Sequence, residues 1–426
     1  MKKNYLLIIL LFCAYSLSAQ WVPLNTGLPD YPPTSLYPFT DTMVLSTYGG
    51  GVYKTMDNGE NWIDINGNLG NLFVKDIRGF NSSRSMFVAT GGGPYITFDQ
   101  VDYTNCTSTG LTNTDVNYFW WGPDQMGGEW MVGTNGGGVF ASEEWAGPWV
   151  AANTGLSGAG MVINELGGYS GSDDEFAIMI TDGGTYWAIN GATEWTEVNT
   201  GLSDEALKVK KLAGLGFFVI IATHGGLYYN YVMADDWTSL IPDEKLNIIL
   251  ALPNPIAPPG WVFFAFGENG FYSEDIFNWT PIDLGGIQGE VTAAHINSTD
   301  LFLGFTTFEK SGKGNGGVYR KPLDQILVGI EDGNLSDLSK NSLEQNHPNP
   351  FSQSTNISYS LEKSDLVSLK VYDFSGREIK TLVNEVQKKG IYSVVFEAEN
   401  LPNGIYNYIL QIGNNLKKAK KMVLLK

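Results

Sequence analysis

Carboxylates are the side chains in this sequence whose type and number could support chemistry, because two of them at a suitable separation can hydrolyse a glycosidic bond. The chain has 45 acidic residues, so abundance alone singles out no pair. Four of them lie in or just before short apolar segments typical of strands: Asp76, Asp115, Glu165 and Glu290. An extracellular polysaccharide hydrolase that uses two of these carboxylates is therefore one hypothesis for the protein.

Other catalytic and metal-binding residue types are sparse. The arginines that precede the C-terminal region are Arg78, Arg84 and Arg320, and their places in the repeat described below predict that they do not converge on a ligand carboxylate. The histidines are His224, His295 and His347, and they lack metal-ligand spacing. Cys106 has no base nearby in the sequence, which predicts a buried, idle thiol. We therefore predict no metal, no cofactor and no nucleophilic cysteine.

The elements that position these residues belong to a repeat of 41 to 46 residues. An aromatic residue marks each copy: Trp21, Trp62, Tyr103, Trp149, Trp195, Trp237 and Trp279. A turn that usually contains glycines, followed by an aromatic strand, also occurs once per copy, most clearly at 49–53. The apolar segments between the markers are short and bounded by Gly, Asn and Asp, which is typical of buried strands. Each unit is predicted to hold four strands, as one propeller blade does.

Seven copies predict an all-β fold in which residues 20–322 form a seven-bladed β-propeller. An open β-solenoid and a pair of sandwiches have similar strand content, but unit length and strand number favour the propeller. The repeat begins with an outermost-type strand at Trp21 and ends after a third strand at Val318. We therefore expect the first strand to complete the last blade and close the ring.

Residues 1–19 are typical of a signal peptide. Lys2 and Lys3 precede an apolar stretch, 5–17, and cleavage is predicted after Ala19. The apolar stretch is short for a bilayer span, and no other segment is a better candidate, so we predict no transmembrane segment. The region 21–340 has 13 basic and 37 acidic residues, a charge that repels nucleic acid and excludes it as an expected partner.

Residues 323–344 are polar, carry no repeat marker and are predicted to be a linker. Residues 345–426 contain at least five candidate strands, which predict a small immunoglobulin-like β-sandwich. Four blocks in this segment are distinctive, at 346–351, 369–379, 401–406 and 420–426.

These blocks resemble the C-terminal sorting domain, type A, of type IX secretion cargo in Bacteroidetes. The resemblance rests on Pro348, Asn349, Pro350, Phe351, Tyr372, Asp373, Gly376, Arg377, Gly404 and Tyr406. It implies that residues 345–426 engage the type IX machinery and direct export through the periplasm to the outer surface or the medium. It also implies that this domain is commonly cleaved off.

One turn of the repeat contains Thr55, Asp57, Gly59 and Trp62. These residues match in full the pattern of the Asp-box group, which the turn resembles and which includes sialidases, xyloglucanase-like glycosidases, sortilin-type receptors and photosystem assembly factor-like proteins. Weaker copies occur at 97–99 and 273–275. The resemblance implies a sialidase-like fold and a structural turn that lies away from any active face.

The residues just before the glycine turns are predicted to ring one mouth of the channel: Tyr48, Asn135, Asp182, His224, Glu268 and Asn315. Trp120 is a further candidate, because Trp120 and Trp121 are extra to the repeat and one of them could be exposed. Acids, amides, an imidazole and an aromatic ring suit a carbohydrate or peptide ligand. A secreted or surface-attached binding module without catalysis is thus the favoured hypothesis, and the glycoside hydrolase is the alternative.

Overall fold

The computed structural model describes residues 21–39, 41–79, 84–107, 109–121, 130–170, 175–189, 194–215, 218–231, 234, 236–253, 261–308, 314–327, 342–373, 377–413 and 416–426. The predicted signal peptide and most of the predicted linker lie outside these ranges. Strands dominate the described part, as predicted, and its helical segments are the short 3-10 turns Gly158–Met161, Glu205–Leu207 and Leu323–Gln325.

Within the described ranges, seven four-stranded antiparallel sheets follow one another along the first three quarters of the chain. From the first strand to the fourth, sheet 1 consists of Pro33–Pro38, Met43–Thr47, Gly51–Thr55 and Ile63–Asp64; sheet 2 of Val74–Gly79, Met86–Thr90, Gly93–Thr97 and Tyr103–Asn105; and sheet 3 of Val116–Trp121, Trp130–Thr134, Val139–Ser142 and Val150–Ala151. Sheet 4 consists of Ile163–Ser170, Glu175–Thr181, Gly184–Ile189 and Thr196–Glu197, and sheet 5 of Val209–Leu215, Phe218–Thr223, Gly226–Tyr231 and Thr238–Pro242. Sheet 6 consists of Leu246–Pro253, Trp261–Gly267, Gly270–Ser273 and Thr280–Ile282, and sheet 7 of Glu290–Ile296, Asp300–Phe308, Gly314–Pro322 and Val22–Pro23.

The first strands of the sheets surround a central channel. Each first strand contacts that of the next sheet, and the first strand of sheet 7 contacts that of sheet 1. Sheet 7 takes its fourth strand from the start of the ring, where Val22 pairs with Arg320. The Leu24 N–H donates to the Val318 carbonyl at 2.7 Å next to this pair. The prediction that the first strand completes the last unit is therefore confirmed.

The aromatic markers lock consecutive units together. The indole N–H of each of three markers donates to a carbonyl of the preceding unit: Trp62 to Leu24 at 2.9 Å, Trp149 to Cys106 at 2.9 Å and Trp195 to Ala152 at 3.0 Å. All three side chains are buried. A large aromatic ring that also satisfies its polar atom is well suited to fill the space between sheets, which explains why the repeat keeps it.

The turns between second and third strands share a threonine that the repeat markers did not include. Its hydroxyl donates to a glycine carbonyl across the turn: Thr47 to Gly51, Thr90 to Gly93, Thr134 to Gly138, Thr181 to Gly184 and Thr223 to Gly226. Gly138 must be glycine, because its φ is +80° and an added Cβ would lie 2.2 Å from the Asn153 side chain.

The C-terminal domain consists of two sheets in its described part. The three-stranded sheet has the order Ser342–Leu343, Ser354–Leu361, Gly390–Glu397, and the four-stranded sheet has the order Glu378–Gln387, Asp365–Tyr372, Gly404–Ile412, Leu416–Leu424. Both contribute to one hydrophobic core that includes Ile357, Leu369, Phe396, Tyr408 and Met422.

Candidate functional site

Five of the six predicted ring residues lie on one face of the ring, in the turns between second and third strands. The backbone N–H groups of four of them donate to carbonyls at the start of the first strands: Tyr48 to Pro32 at 2.9 Å, Asn135 to Asp115 at 2.8 Å, Asp182 to Val162 at 3.2 Å and His224 to Lys208 at 3.2 Å. Glu268 is exposed in the equivalent turn of sheet 6. We call this face, with its turns and the starts of the first strands, the mouth.

Two predicted ligand residues lie elsewhere. Asn315 belongs to a strand, opposite Thr307, because the hairpin of sheet 7 continues to the Phe308–Gly314 pair. Trp120 lies at the far end of its first strand, opposite Met131, and is partly buried. The neighbouring Trp121 is the exposed one, at 47%. The prediction that Asn315 lies in a turn at the mouth is therefore wrong. Trp120 was a ligand-binding candidate outside the predicted ring, and that role stays a prediction.

An aromatic pair forms one side of the mouth. The rings of Tyr48 and Phe73 meet edge to face, with centroids 5.2 Å apart, and are 47% and 51% exposed. Leu72 and Tyr31 add further exposed apolar surface beside them. Phe73 was missed from sequence, although it occupies the position before the first strand at which sheets 3 and 5 carry Asp115 and Lys208. Phe73 is the aromatic residue among those that precede the first strands, and this was the available signal.

Ion pairs between neighbouring sheets form the rest of the mouth. Lys75 pairs with Asp115, Lys210 with Asp182 at 2.5 Å, and Lys245 with Glu290 at 2.5 Å. Burial opposes ionisation of Asp182 and Glu290, but hydrogen bonds from Lys210 and Asn164 to Asp182, and from Lys245 and Asn247 to Glu290, lower the pKa of both carboxyls. Both are therefore anions at neutral pH, and each carries a fixed hydrogen-bonding geometry.

His224 lies within this charged side of the mouth. Burial lowers the pKa of its imidazole, and the positive charges of Lys210 and Lys245 lower it further. A neutral imidazole can both donate and accept a hydrogen bond, as a sugar hydroxyl or a peptide group requires. Across the described ranges, no three His, Cys, Asp or Glu side chains cluster closely enough to hold a metal ion.

A polar residue near the start of each first strand was a further signal that sequence reasoning missed. In five sheets its side chain donates to a carbonyl at the start of the next sheet: Thr34 to Val74, Asn117 to Ile163, Asn164 to Val209, Asn247 to Val291 and Thr292 to Pro33. A register shift occurs at this position in each first strand. These bonds link the sheets around the channel below the mouth.

Two of the four candidate catalytic acids belong to one ion-pair network beside the channel: Asp76 lines a cavity of about 340 Å³, and Glu165 is buried next to it. The Arg78 guanidinium lies between them, 2.9 Å from Asp76 and 2.7 Å from Glu165. The Glu165 carboxylate also accepts from Lys211 Nζ at 3.0 Å and from the Leu212 N–H at 3.0 Å. Its oxygens are thus occupied by protein donors, while Asp115 and Glu290 lie at the mouth in separate ion pairs.

The Thr55–Trp62 turn has the hydrogen bonds that its sequence predicted. Asp57 accepts from the Thr55 hydroxyl at 2.7 Å and from the Asn61 N–H at 2.9 Å, and the Gly59 N–H donates to the Thr55 hydroxyl at 2.9 Å. Hydrogen bonds from the Asn61 side chain, the Asn61 N–H and the Thr55 hydroxyl lower the pKa of Asp57 to about 2. The turn joins the third and fourth strands of sheet 1 and lies away from the mouth. Its assignment to the Asp-box group stays a prediction.

The predicted sorting residues form local hydrogen bonds in the C-terminal domain. Arg377 donates to the Asp373 carboxylate through its backbone and its side chain, at 3.0 and 2.9 Å. The Phe351 N–H donates to the Val423 carbonyl at 2.9 Å, and the Tyr406 hydroxyl donates to the Pro402 carbonyl at 2.8 Å. Peptide bonds before Pro348 and Pro350 are cis, Tyr372 and Gly404 lie in strands, and Gly376 lies outside the described residues.

Three solved structures resemble this chain in fold. The extracellular domain of BT4673 from B. thetaiotaomicron is 14% identical, with a TM-score of 0.52, over 96% of this chain and 58% of that one. PorZ, an essential bacterial surface component of the type-IX secretion system of Porphyromonas gingivalis, is 12% identical, with a TM-score of 0.50, over 94% and 60%. An ancestral GH74 enzyme is 14% identical, with a TM-score of 0.52, over 93% and 60%.

This chain therefore spans about three fifths of the length of those β-propeller proteins, and at such identities the likeness concerns the fold alone. No curated protein matches the chain. In the ranges that the structure describes, no helix is long and apolar enough to cross a membrane. Residues 346–425 match a protein family, and this match agrees with the four sequence blocks and the two-sheet domain that contains them. These residues are a secretion system C-terminal sorting domain, joined to an all-β region that resembles β-propeller proteins.

Proposed function

We propose that this protein is a seven-bladed β-propeller that type IX secretion exports and that binds a glycan at its mouth without catalysis. In this proposal sheets 1 to 7 are the blades, residues 323–344 are the linker and residues 345–426 are an immunoglobulin-like sandwich. The sorting domain implies export to the cell surface or the extracellular space. The mature protein would act there, after the predicted signal peptide has been removed.

The observation that carries the binding proposal is the exposed Tyr48–Phe73 pair beside polar groups that neutralise one another. Six of the 13 basic residues of 21–340 lie at the mouth or in the channel, and each has an acidic partner: Lys75, Arg78, Lys208, Lys210, Lys211 and Lys245. The mouth therefore offers many donors and acceptors, and none of these six basic residues is left unpaired to hold an anionic ligand. Aromatic faces combined with such groups suit a neutral polysaccharide, in which apolar ring faces alternate with hydroxyls.

The channel favours binding over hydrolysis. A glycosidase needs one carboxyl to donate a proton and another to attack or to activate water. Asp76 and Glu165 share the Arg78 guanidinium, and Glu165 has further donors in sheet 5. Glu165 joins sheets 2, 4 and 5, and Asp76 holds Arg78 within its own strand. Each carboxylate is thus engaged in an ion pair, which opposes its use as a proton donor to a leaving group.

The test uses the mature full-length chain against a panel of neutral polysaccharides. Retardation in polysaccharide-containing gels and release of reducing ends are measured together. We expect retardation without release, and its loss when Tyr48, Asp182 and His224 are all changed to Ala. Reducing ends that disappear in an Asp76→Asn or Glu165→Gln variant would instead establish the hydrolase. Unchanged retardation by the triple variant would show that the ligand binds elsewhere.

A further inference from the structure

The turn between third and fourth strands adopts the same conformation in sheets 1, 2 and 6. The residue after the aspartate has a left-handed backbone in each: φ is 56° at Asn58, 65° at Gln100 and 60° at Ile276. Asparagine tolerates this region, whereas a β-branched side chain at positive φ is rare and strained. Ile276 is therefore unfavourable for the turn itself, and a contact outside the turn must account for it.

That contact is with the sorting domain. Ile276 is fully buried and belongs to one hydrophobic cluster with Ile405 and Val423 of that domain. Phe277 and Leu425 pack against the same cluster. At the position equivalent to Ile276, Asn58 of sheet 1 is exposed and Gln100 of sheet 2 is buried. The residue before the aspartate is exposed in both of these turns, with Met56 65% exposed and Phe98 57% exposed.

Polar groups fix the position of the domain on this surface. The Lys421 ammonium lies 5.6 Å from the Phe277 ring centroid and 3.4 Å from the Tyr229 hydroxyl. Asn349 donates to the Asp275 carbonyl at 3.5 Å and accepts from the Val423 N–H at 2.7 Å. Asn349, one of the predicted sorting residues, thus joins the last strand to the turn of sheet 6.

The last strand is covered on both faces as a result. Met422 and Leu424 point into the core of the sorting domain, while Val423 packs with sheets 5 and 6. All three are at most 1% exposed. We propose that the turn of sheet 6 is a docking surface for the sorting domain, and that docking hides the last strand from the secretion machinery until the domain is released. This inference rests on the proposed export through residues 345–426.

Docking is tested by thiol labelling of the full mature chain, whose native Cys106 is buried. Val423→Cys should react with a maleimide at least about tenfold more slowly than Val395→Cys, an exposed position on the same domain. Adding Ile276→Asn should raise the Val423→Cys rate by about tenfold, equivalent to about 1.4 kcal/mol. Gln100→Asn is the control, because it places asparagine at the equivalent position in the turn of sheet 2, and it should leave the rate unchanged.

Ile276→Asn places a residue suited to the left-handed backbone in the turn, so the variant is expected to fold. Ile405→Ser weakens the same contact from the other side and should also speed labelling. Fast labelling of Val423→Cys without a second substitution would overturn the docking surface. So would a labelling rate that neither Ile276→Asn nor Ile405→Ser changes.

Masking is tested by export from cells. Ile276→Asn, which leaves the sorting domain itself unaltered, should shorten the half-time of export at least about twofold, where Gln100→Asn does not. Equal half-times for the two variants would overturn masking. A chain without residues 342–426 separates this result from the proposed function: if that chain is exported normally, export does not depend on the sorting domain at all.

Discussion

The Arg78 guanidinium in sheet 2 reaches the Glu165 carboxylate in sheet 4 across the channel, at an Nη2–Oε1 distance of 2.7 Å. These sheets are not neighbours, and Tyr118 of the sheet between them lies under the guanidinium, 4.7 Å from its ring centroid to the Arg78 carbon. Since Glu165 is also held by Lys211 of sheet 5, four consecutive sheets meet at one network. The network fixes their spacing below the mouth.

Removing Arg78 should therefore destabilise the ring. Arg78→Met leaves Glu165, whose side chain is 5% exposed, without its shortest ion pair and leaves Asp76 without a partner. We expect a loss of about 2 to 4 kcal/mol in the free energy of unfolding, measured by urea denaturation, because one half of a buried pair is expensive to leave alone.

A matched exposed pair provides the control. Lys380 and Glu399 are 42% and 65% exposed, so Lys380→Met should have no measurable effect on unfolding. Equal effects of the Arg78 and Lys380 substitutions would mean that the channel network contributes nothing beyond a surface ion pair.

The aromatic pair at the mouth should contribute to binding and little to stability. Phe73→Ala removes an exposed ring and the edge-to-face contact with Tyr48. Its polysaccharide affinity, measured by gel retardation, should fall by about tenfold or more, corresponding to about 1.4 kcal/mol. Phe98→Ala removes an equally exposed ring outside the mouth and should retain parental affinity. If Phe98→Ala lowers the polysaccharide affinity and Phe73→Ala does not, the ligand binds on the outer side of the ring of sheets and not at the mouth.

His295 should make stability depend on pH between about 7 and 5. Burial lowers the pKa of its imidazole from the usual 6.5 to about 4. The folded state thus binds fewer protons than the unfolded state in this pH range. The contribution of neutral His295 to the free energy of unfolding is therefore complete above about pH 6.5 and is lost as the pH falls toward 4. We expect a loss of about 2 kcal/mol between pH 7 and 5, and His295→Gln should reduce that slope. An unchanged slope would exclude His295 as its source.

Cys106 should report global unfolding. Its thiol is buried, and burial raises its pKa to about 12, so only about 10⁻⁴ of it is thiolate at pH 8. In native protein a thiol reagent should react at the rate of unfolding, and in denatured protein it should react at once. Rapid labelling without denaturant would indicate a local opening at sheet 2.

The repeat made the course of the chain predictable because each marker has one structural task. Trp62 fills the gap to the preceding unit, and Thr55 and Asp57 tie down a turn. The bond of Thr55 to Asp57 is local, and the indole bonds of the markers recur at separations of 38 to 43 residues. The closing pair of Val22 and Arg320 was also predictable, because a four-stranded unit that ends after three strands needs a partner.

The site was only partly predictable. Repeat phase placed Tyr48, Asn135, Asp182, His224 and Glu268 on the mouth, but it could not reveal that Arg78 bridges sheets 2 and 4, since that contact depends on the width of the channel. The error at Asn315 arose because a hairpin can lengthen without changing its glycines. The weak third copy of the turn motif, at 273–275, gave no indication that the next residue, Ile276, is buried beside the sorting domain.

The strand Val22–Pro23 has a consequence for the order of events during biogenesis. Its hydrogen-bonding partner, the third strand of sheet 7, lies at the other end of the ring in sequence. Contacts between such distant segments form slowly, because a long loop must close before they bring any gain. Sheet 7 therefore lacks its fourth strand while the earlier sheets assemble. The edge of its third strand is exposed during this stage, which is when the chain is most open to proteolysis or aggregation. A chaperone that acts on this protein before export would be most useful at that edge.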